Sequence, residues 1–541
     1  MIFKLSMQQN SIPFHKTGYF SSLICDYLDE KSDLKPFYNR FPNIENFKNQ
    51  IEEKRLSVSS KSRTVLTKVL KNQYKNIKAS ELTLQNIESL SSENTFTITT
   101  GHQLNLLTGP LYFLYKIVSA INLSKELKAK YTDCNFVPVY WMASEDHDFE
   151  EINYFNFKGK KIQWNKNSNG AVGELSTDGL EAVFDLFSLE LGSTKNAEYL
   201  KELFSKAYLE HTNLADATRF LSNELFRDYG LVIIDAHDKD LKAQFIPFLE
   251  EELTNQTSFQ SVSETNKKIN ELPQNYKLQV NPRNINLFYL KENLRERIVF
   301  EDGVYGVVNT DITWNKVEIL KELSDFPERF SPNVIMRPLL QEVILPNLCY
   351  IGGGGELAYW FQLKEYFDKV QVPFPILLLR NSVLIQTEKQ SEKLKRLHIS
   401  HEDIFLNQDE LVSKKVKEIS SIDIDFSTQK EYLVNQFQDL YKLAKQTDNS
   451  FLGAVKAQEV KQIKGLENLE KRLLKAQKRK LDDEVSRITI IQNELFPNAS
   501  LQERNTNFSE FFLEYGENLI PTLVECLEPL NSEFIVLTLK G

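Results

Sequence analysis

The β-branched run in FTITTGHQLNLLTGPLY (96–112) breaks at a Gly-His-Gln turn and gives way to an apolar helix. A second segment, FVPVYWMASEDHDFEEIN (136–153), begins forty residues after the first and runs from an apolar strand into four consecutive ionisable side chains. A strand, helix, strand unit whose strands both end in polar loops is how open α/β sheets hold ligands, at the carboxyl edge of parallel strands. The pattern therefore points to an enzyme on a parallel sheet. A third apolar run, YGLVIIDAHD (229–238), again ends in acid and histidine, which fits a neighbouring parallel strand better than a meander.

With 541 residues the chain exceeds what one hydrophobic core supports, so about two to four domains are expected. Residues 1–95 read as helical and polar, without evident chemistry. Residues 96–385 read as the α/β core, with a helical insertion at about 160–228 and a β-rich one at about 270–325, where Gly303 and Gly306 serve as turn formers. The core resumes with SPNVIMRPLLQE (331–342), ILPNLCYI (344–351), the glycine run 352–355 and PILLLRNS (375–382). Residues 386–500 turn to charged helix, and 501–541 form a tail that returns to the core and ends in a strand, 534–539.

The helical segment carries a seam. Its first arm places Leu433, Phe437, Leu440, Ala444, Thr447 and Phe451 at alternating steps of 4 and 3. The second runs from Val460 through Ile463, Leu466, Leu469, Leu473, Gln477, Leu481, Val485, Ile488 and Gln492 to Leu495, 35 residues in ten steps. That 3.5-residue repeat is the coiled-coil period, and it predicts an antiparallel hairpin ended by Phe496-Pro497. Leu474, Ile490 and Ile491 fall beside the seam and are expected to stay wet unless a second subunit covers them.

A net charge of -10 argues against a general nucleic-acid binder, which needs a basic surface. No apolar run reaches the roughly 18 residues of a membrane span, and residues 1–6 lack the features of a secretory leader, so a cytoplasmic protein is expected. The four cysteines and seven histidines are scattered without ligand spacing, so no metal site, and no zinc, is expected.

Side by side, TGHQxxLLTGPLY (100–112), WxxxEDHDF (141–149), IGGGGExAYW (351–360) and LFPNxxLQER (495–504) make the chain resemble the bacillithiol-biosynthesis cysteine-adding enzymes. The match follows the chain in order over nearly its whole length, and four motifs in sequence are specific where one alone is weak. The resemblance implies an α/β fold: a Rossmann-type, nucleotidylyl-transferase-like core related to class I aminoacyl-tRNA synthetases, with inserted connecting domains and an α-helical coiled-coil domain that pairs two subunits. It further implies a ligase that joins the carboxyl group of cysteine to the amine of glucosaminyl malate. A carboxylate and an amine do not condense in water at a useful rate, so the acid must be activated as an acyl phosphate or adenylate. ATP or another nucleotide, with magnesium, is the expected cofactor.

His102 and Gln103, flanked by Gly101 and by Thr108-Gly109, sit where a class I synthetase carries its phosphate-contacting histidine motif, at the mouth of a helix whose first N–H groups face an anion. The chain has neither His-x-Gly-His nor Lys-Met-Ser-Lys-Ser, so phosphate handling does not carry over from the synthetases. Glu145, Asp146, His147 and Asp148 are the candidate acid–base or magnesium-holding groups. In an extended backbone they would form two opposed sets, Glu145 with His147 and Asp146 with Asp148. The competing reading is that these acids cap the next helix. Gly353 and Gly354 with Glu356 form a glycine-rich loop whose amides can close on a ligand. Arg337 and Arg380-Asn381-Ser382, near strand ends, match a carboxylate or phosphate, and Tyr359 is a candidate substrate wall beside Trp360. Two alternatives stand beside the ligase: a nucleotidylyl transferase or ligase for another small acid, and a non-catalytic coiled-coil scaffold.

Overall fold

A computed structural model of the chain describes residues 7–540. The reading of residues 1–6 as lacking a leader lies outside the described residues. The chain divides into two compact units, one formed by the residues up to Ile385 together with those from Leu501 onward, the other by Gln386–Ser500.

The first unit is built on five parallel strands. Their spatial order is Ile376–Leu379, Asn347–Gly352, Thr95–His102, Asn135–Met142, Val232–Asp235. Thr95–His102 is the middle strand and is buried along its whole length. Its β-branched threonines fit a pleat covered on both faces because their hydroxyls find partners there: Thr99 donates to Asn347 Oδ1 at 2.8 Å and Thr100 to the Ile351 carbonyl at 2.8 Å. The chain leaves this strand through helix Tyr112–Lys130, adds Asn135–Met142 and then Val232–Asp235 on one side, and returns to lay Asn347–Gly352 and Ile376–Leu379 on the other. Strand order therefore reverses between Thr95–His102 and Asn347–Gly352, where flanking connections diverge and a crevice opens at the carboxyl ends.

The two insertions lie between the sheet strands. Helices Leu180–Leu191, Lys195–Tyr208 and Leu214–Phe226 precede Val232–Asp235. A five-stranded antiparallel sheet follows it, in the order Thr313–Trp314, Val304–Val307, Leu294–Glu301, Leu287–Lys291, Phe330–Pro332. Gly303, at φ 84°, closes the turn with Asp302 at φ 49°, the double left-handed pair that a two-residue hairpin demands. Gly306 is not a turn former: it lies within a strand, opposite Val299 and Thr313.

The helical reading of residues 1–95 misses one strand. Met7–Pro13 pairs residue for residue with Glu533–Leu539, from Met7 opposite Leu539 to Pro13 opposite Glu533. Its polar sequence, MQQNSIP, carries no apolar alternation, and its pairing partner lies at the far end of the chain. Helix Asn46–Ser57 adds Phe47 and Ile51 to the core formed by Phe96, Ile98, Phe136 and Ile351, so this region shares the sheet's core.

The second unit holds helices Glu388–Arg396, Gln408–Ile419, Ser427–Ala444, Asn449–Lys480 and Asp482–Leu495. Ser427–Ala444 and Asn449–Lys480 form a hairpin whose apolar contact is Phe437, Ala444 and Val455, with Leu433, Tyr441 and Leu452 against it. Five expected seam positions are corrected: Leu440 is 40% exposed, Phe451 46%, Val460 58% and Leu469 52%, and Thr447 lies exposed in the connecting turn. Asp448 caps the second helix through its bond to the Phe451 N–H, so Phe451 occupies the first turn, ahead of the face that meets the partner. Nor is the second arm one helix. Leu481, at φ -104° and ψ 31°, separates Asn449–Lys480 from Asp482–Leu495. Beyond that break Ile491 is buried with Ile488 and Leu495; Leu474, before it, is half-buried, and Ile490 alone of the three predicted wet residues is exposed. Among the described residues no helix is long and apolar enough to cross a membrane.

Candidate functional site

A cavity of about 740 Å³ opens at the carboxyl ends of the parallel strands, at the reversal point. Strand ends supply Gly101, His102 and Gln103, the 142–147 loop, and Gly353, Gly355 and Glu356. The antiparallel insertion supplies Phe288 and Arg295, and the returning C-terminal segment supplies Arg504.

Lys116 and Glu356 form the centre of one wall. Lys116 leaves the helix that follows the middle strand, is 3% exposed, and reaches both the Gly101 carbonyl at 2.7 Å and Glu356 Oε2 at 2.6 Å. Glu356 is the third residue of helix Gly354–Phe361 and accepts the Gly353 N–H at 2.8 Å and the Tyr350 hydroxyl at 2.7 Å. Burial would raise its carboxyl, but Lys116 and these donors outweigh that and hold it below the ordinary glutamate range. Glu356 is thus fully engaged as a clamp between the two strand ends. Gly101 lets the clamp close, since a Cβ there would sit 3.3 Å from the Tyr350 hydroxyl. Within the glycine run, Gly353 and Gly355 line the cavity, whereas a Cβ on Gly354 would meet Ile24 at 3.2 Å. Gly354 is therefore a packing position rather than a binding one.

Around this clamp stand further cations. Arg337 opens helix Arg337–Ile344 rather than ending a strand; it donates to Gln341 Oε1 at 3.0 Å and to the Tyr359 hydroxyl at 3.4 Å. Behind it Gln341 donates to Glu342 at 3.0 Å, and Glu342 pairs with Lys54 at 2.9 Å, both of their side chains 0% exposed. A buried relay of this kind fixes the guanidinium's direction. Tyr359 lines the cavity, while Trp360 is a core residue whose ring lies tilted against Tyr350. Arg380 is buried, donates to Glu503 at 2.7 Å and to the Asn381 carbonyl and Ser382 hydroxyl, and keeps its Nε–H without a partner. Arg504 is exposed at the cavity edge.

Asn381 and Ser382 do not join the site. Asn381 is held by Ser119 at 2.8 Å and by the Glu528 carbonyl at 2.9 Å, and Ser382 is occupied by Arg380. Thr108 and Gly109 also stay outside it. Leu107, Thr108 and Gly109 all have positive φ, and Asn507 pins the turn by donating to the Leu107 and Gly109 carbonyls at 2.8 and 2.5 Å. A Cβ at Gly109 would meet Asn105 Cβ at 2.6 Å. The Thr-Gly-Pro turn thus shapes the backbone behind His102 instead of touching a ligand.

The opposite wall is acidic, and its pairing differs from the extended-backbone expectation. The strand ends at Met142 and the loop turns, with the Asp146 N–H on the Ala143 carbonyl at 3.2 Å, so alternate residues do not share faces. Glu145 instead pairs with Lys242 and with His237 Nδ1 at 3.0 Å, and His237 Nε2 meets Glu174 at 3.1 Å. Burial works against both charges here. The carboxylates overcome it and lift His237 to about 10, and Lys242 with His237 holds Glu145 well below the ordinary range. Asp146 is likewise held low against burial, by His147 and Gln103, the latter donating to it at 2.9 Å. Two carboxylates held this firmly ionised are electrostatic anchors rather than proton acceptors at neutral pH. His147 is half exposed against Arg295 at 2.6 Å. Asp148 is exposed, does not line the cavity and occupies the N-cap position of Phe149–Ile152, so it leaves the candidate catalytic set. Among the described residues no group of three or more His, Cys, Asp or Glu side chains could hold a metal ion.

Sequence reasoning missed Lys116, Arg295, Arg504, His237 and Lys242. Lys116 stands alone in the apolar run LYFLYKIVSAI (111–121), Arg504 ends the LQER segment and His237 ends the third strand run, so each had a local signal. Arg295 and Lys242 sit in ordinary charged surroundings, and only tertiary structure brings them in.

The fold and site define a Rossmann-like α/β protein with a ligand cavity at its strand-order reversal, carrying a separate helical unit. The chain belongs to the bacillithiol biosynthesis BshC family: the model of that family's N-terminal Rossmann-like domain matches residues 7–381, and that of its C-terminal coiled-coil domain matches 383–539. It is similar to proteins named "Putative cysteine ligase BshC": from Flavobacterium johnsoniae at 62% identity over 98% of this chain and 100% of that one, and from Christiangramia forsetii at 61% over 98% and 99%. A relative of the same name from Bacillus thuringiensis is 28% identical over 96% of this chain and 98% of its own.

The acidic wall has a pH signature. Because His237 is lifted to about 10, its contribution to stability is complete below its ordinary value near 6.5 and is lost as pH rises through 10. Glu145, held low, acts oppositely, and its contribution is lost only in acid. In denaturant titrations the stability gap between wild type and His237→Gln should narrow steadily from about pH 6.5 to 10. A gap that stays constant over that window would show that the two carboxylates do not hold the imidazolium.

Proposed function

We propose that this protein is a ligase that joins the carboxyl group of L-cysteine to the amine of glucosaminyl malate, in bacillithiol biosynthesis, and that the reaction takes place in the cavity at the strand-order reversal. One observation carries the reading: a single cavity sets a wall of Lys116, Arg337, Arg380 and Arg504 opposite a wall of firmly ionised Glu145 and Asp146. Guanidinium groups suit the two carboxylates of a malyl group. The acidic wall suits the ammonium of an amino acid. The residues support each half of the amide to be made.

Activation of the cysteine carboxyl needs an acyl phosphate or adenylate, and a nucleotide such as ATP with magnesium is its natural source. Gly355, at the mouth of its helix, and the cations beside it line the cavity where phosphate oxygens would lie, and magnesium would come with the nucleotide. The scattered cysteines fit a reducing cytoplasm. We read the second unit as a dimerisation element: Leu443, Val460 and Leu469 are each more than half exposed on its hairpin, and a symmetric pair of chains is the commonest way to cover exposed aliphatic residues.

A strain lacking this protein should lose bacillithiol and accumulate glucosaminyl malate in a thiol and metabolite profile. Reintroduced Arg504→Ala should restore turnover at least about tenfold less efficiently than wild type, the scale of losing one hydrogen bond to a charged group. An unchanged thiol pool in the deleted strain would remove the ligase assignment. For the dimer, wild type should sediment at twice 62.9 kDa at micromolar concentration, and Leu443→Glu with Val460→Lys should sediment as the 62.9 kDa chain with helix content retained. A wild-type chain that already sediments as a monomer contradicts this part of the reading.

A further inference from the structure

We propose that Arg295 and Asp146 form the receptor for the amino-acid substrate as a zwitterion: Arg295 takes its α-carboxylate in place of His147, and Asp146 takes its ammonium. The proposal rests on the ligase reading for the amino acid being cysteine, and on the geometry of the acidic wall for everything else.

Arg295, Asp146, His147 and Phe288 all line the cavity. Arg295 enters from the antiparallel sheet and lies over the Phe288 ring, its guanidinium carbon 3.9 Å from the centroid, so the group is held in place before a ligand arrives. Its hydrogen bond goes to an imidazole rather than to an acid. Arginine has donors only, so the 2.6 Å contact with His147 Nδ1 makes that nitrogen the acceptor and puts the ring's proton on Nε2. Asp146 is the mirror case. It accepts the Gln103 amide at 2.9 Å and the His147 N–H at 2.8 Å, both uncharged donors, while Glu145 beside it is already met by Lys242 and His237.

Among the described residues Arg295 has no ion pair with a carboxylate, and Asp146 has none with a lysine or arginine. The two opposite charges nevertheless stand close, Arg295 Nη1 at 2.6 Å and Asp146 Oδ1 at 3.5 Å from the same ring nitrogen. Part-buried charges without partners are costly, and a ligand that meets both gains what the protein leaves unmade. A phosphate or a malyl carboxylate at Arg295 would press its charge against Asp146 with no adjacent ammonium to offset it. An amine alone would satisfy Asp146 and leave Arg295 on His147. An α-amino acid carries both signs two bonds apart and satisfies both residues. It leaves the malyl group to the arginine wall, brings the carboxyl that must be activated onto a fixed donor, and frees His147 Nδ1 only once the substrate is seated.

Calorimetry on full-length protein tests this with L-cysteine, cysteamine, which lacks the carboxylate, and mercaptopropionate, which lacks the ammonium. Arg295→Gln, checked for wild-type helix content, should bind L-cysteine at least about tenfold more weakly, the scale of a lost hydrogen bond to a charged group, with cysteamine changed by less than about twofold. Asp146→Asn should weaken L-cysteine and cysteamine alike without weakening mercaptopropionate. In ¹⁵N-histidine spectra, with His147 assigned by difference against His147→Asn, Nδ1 should be an acceptor in the free protein and should shift with L-cysteine but not with cysteamine. Equal losses of cysteine and cysteamine in Arg295→Gln overturn the carboxylate assignment, and a proton on Nδ1 in the free protein overturns the part given to His147. Undiminished cysteine binding in both variants overturns the whole proposal, as does wild-type protein that binds glucosaminyl malate but not cysteine. Binding of neither substrate removes the ligase reading itself.

Discussion

The buried pair of Lys116 and Glu356 is the interaction on which the site depends. It bridges the ends of two strands that the chain lays down some 250 residues apart, by fixing the Gly101 carbonyl on one side and the Gly353 N–H on the other. Two charges taken out of water are expensive unless their remaining hydrogen-bonding capacity is met, and removing one partner leaves the other stranded. Here Gly101, Gly353 and Tyr350 meet most of it. The pair keeps open the crevice that a reversal of strand order creates, and it sets the electrostatic tone of that wall.

From this pair the rest of the site follows by charge. Lys116 lowers the proton affinity of His102, Arg380 is balanced by Glu503, and Arg337 is aimed through Gln341 and Glu342 back to Lys54. The opposite wall reverses the signs, with Lys242 and His237 buttressing Glu145. Neither wall draws its supports from a single segment. Helix Asn46–Ser57, the antiparallel insertion and the returning C-terminal segment each contribute one, which explains why the LQER motif, far along the chain, matters to a cavity formed mostly by residues 101–380.

How much of this is legible in the sequence depends on the range of the interaction. The parallel strands announce themselves, since a fully buried strand must be continuously apolar or β-branched, and the polar residues that end each run lie where the cavity is. The Rossmann-like core with its coiled-coil domain is recognisable from four motifs. Roles within motifs are less legible. Thr108, Gly109, Gly354, Asn381 and Ser382 look like ligand contacts because small and polar residues serve equally to bind and to close tight turns. Asp148 looks catalytic because alternation along a strand cannot reveal that the backbone turns after Met142. The polar strand Met7–Pro13, and the cations Arg295 and Lys242, are set by partners hundreds or tens of residues away, and no local pattern marks them. In the hairpin, period alone does not fix where the contacts fall after a turn or reveal the break at Leu481.

The central claim is that one cavity holds both halves of the amide, with the malyl carboxylates on the arginine wall. A crystal structure of the full-length protein with glucosaminyl malate bound tests it most directly. The account predicts malyl carboxylates in hydrogen-bond range of Arg337, Arg380 or Arg504, inside this cavity. Density for the ligand outside this cavity, or inside it with the amine on the arginine wall and the carboxylates toward Glu145, contradicts it.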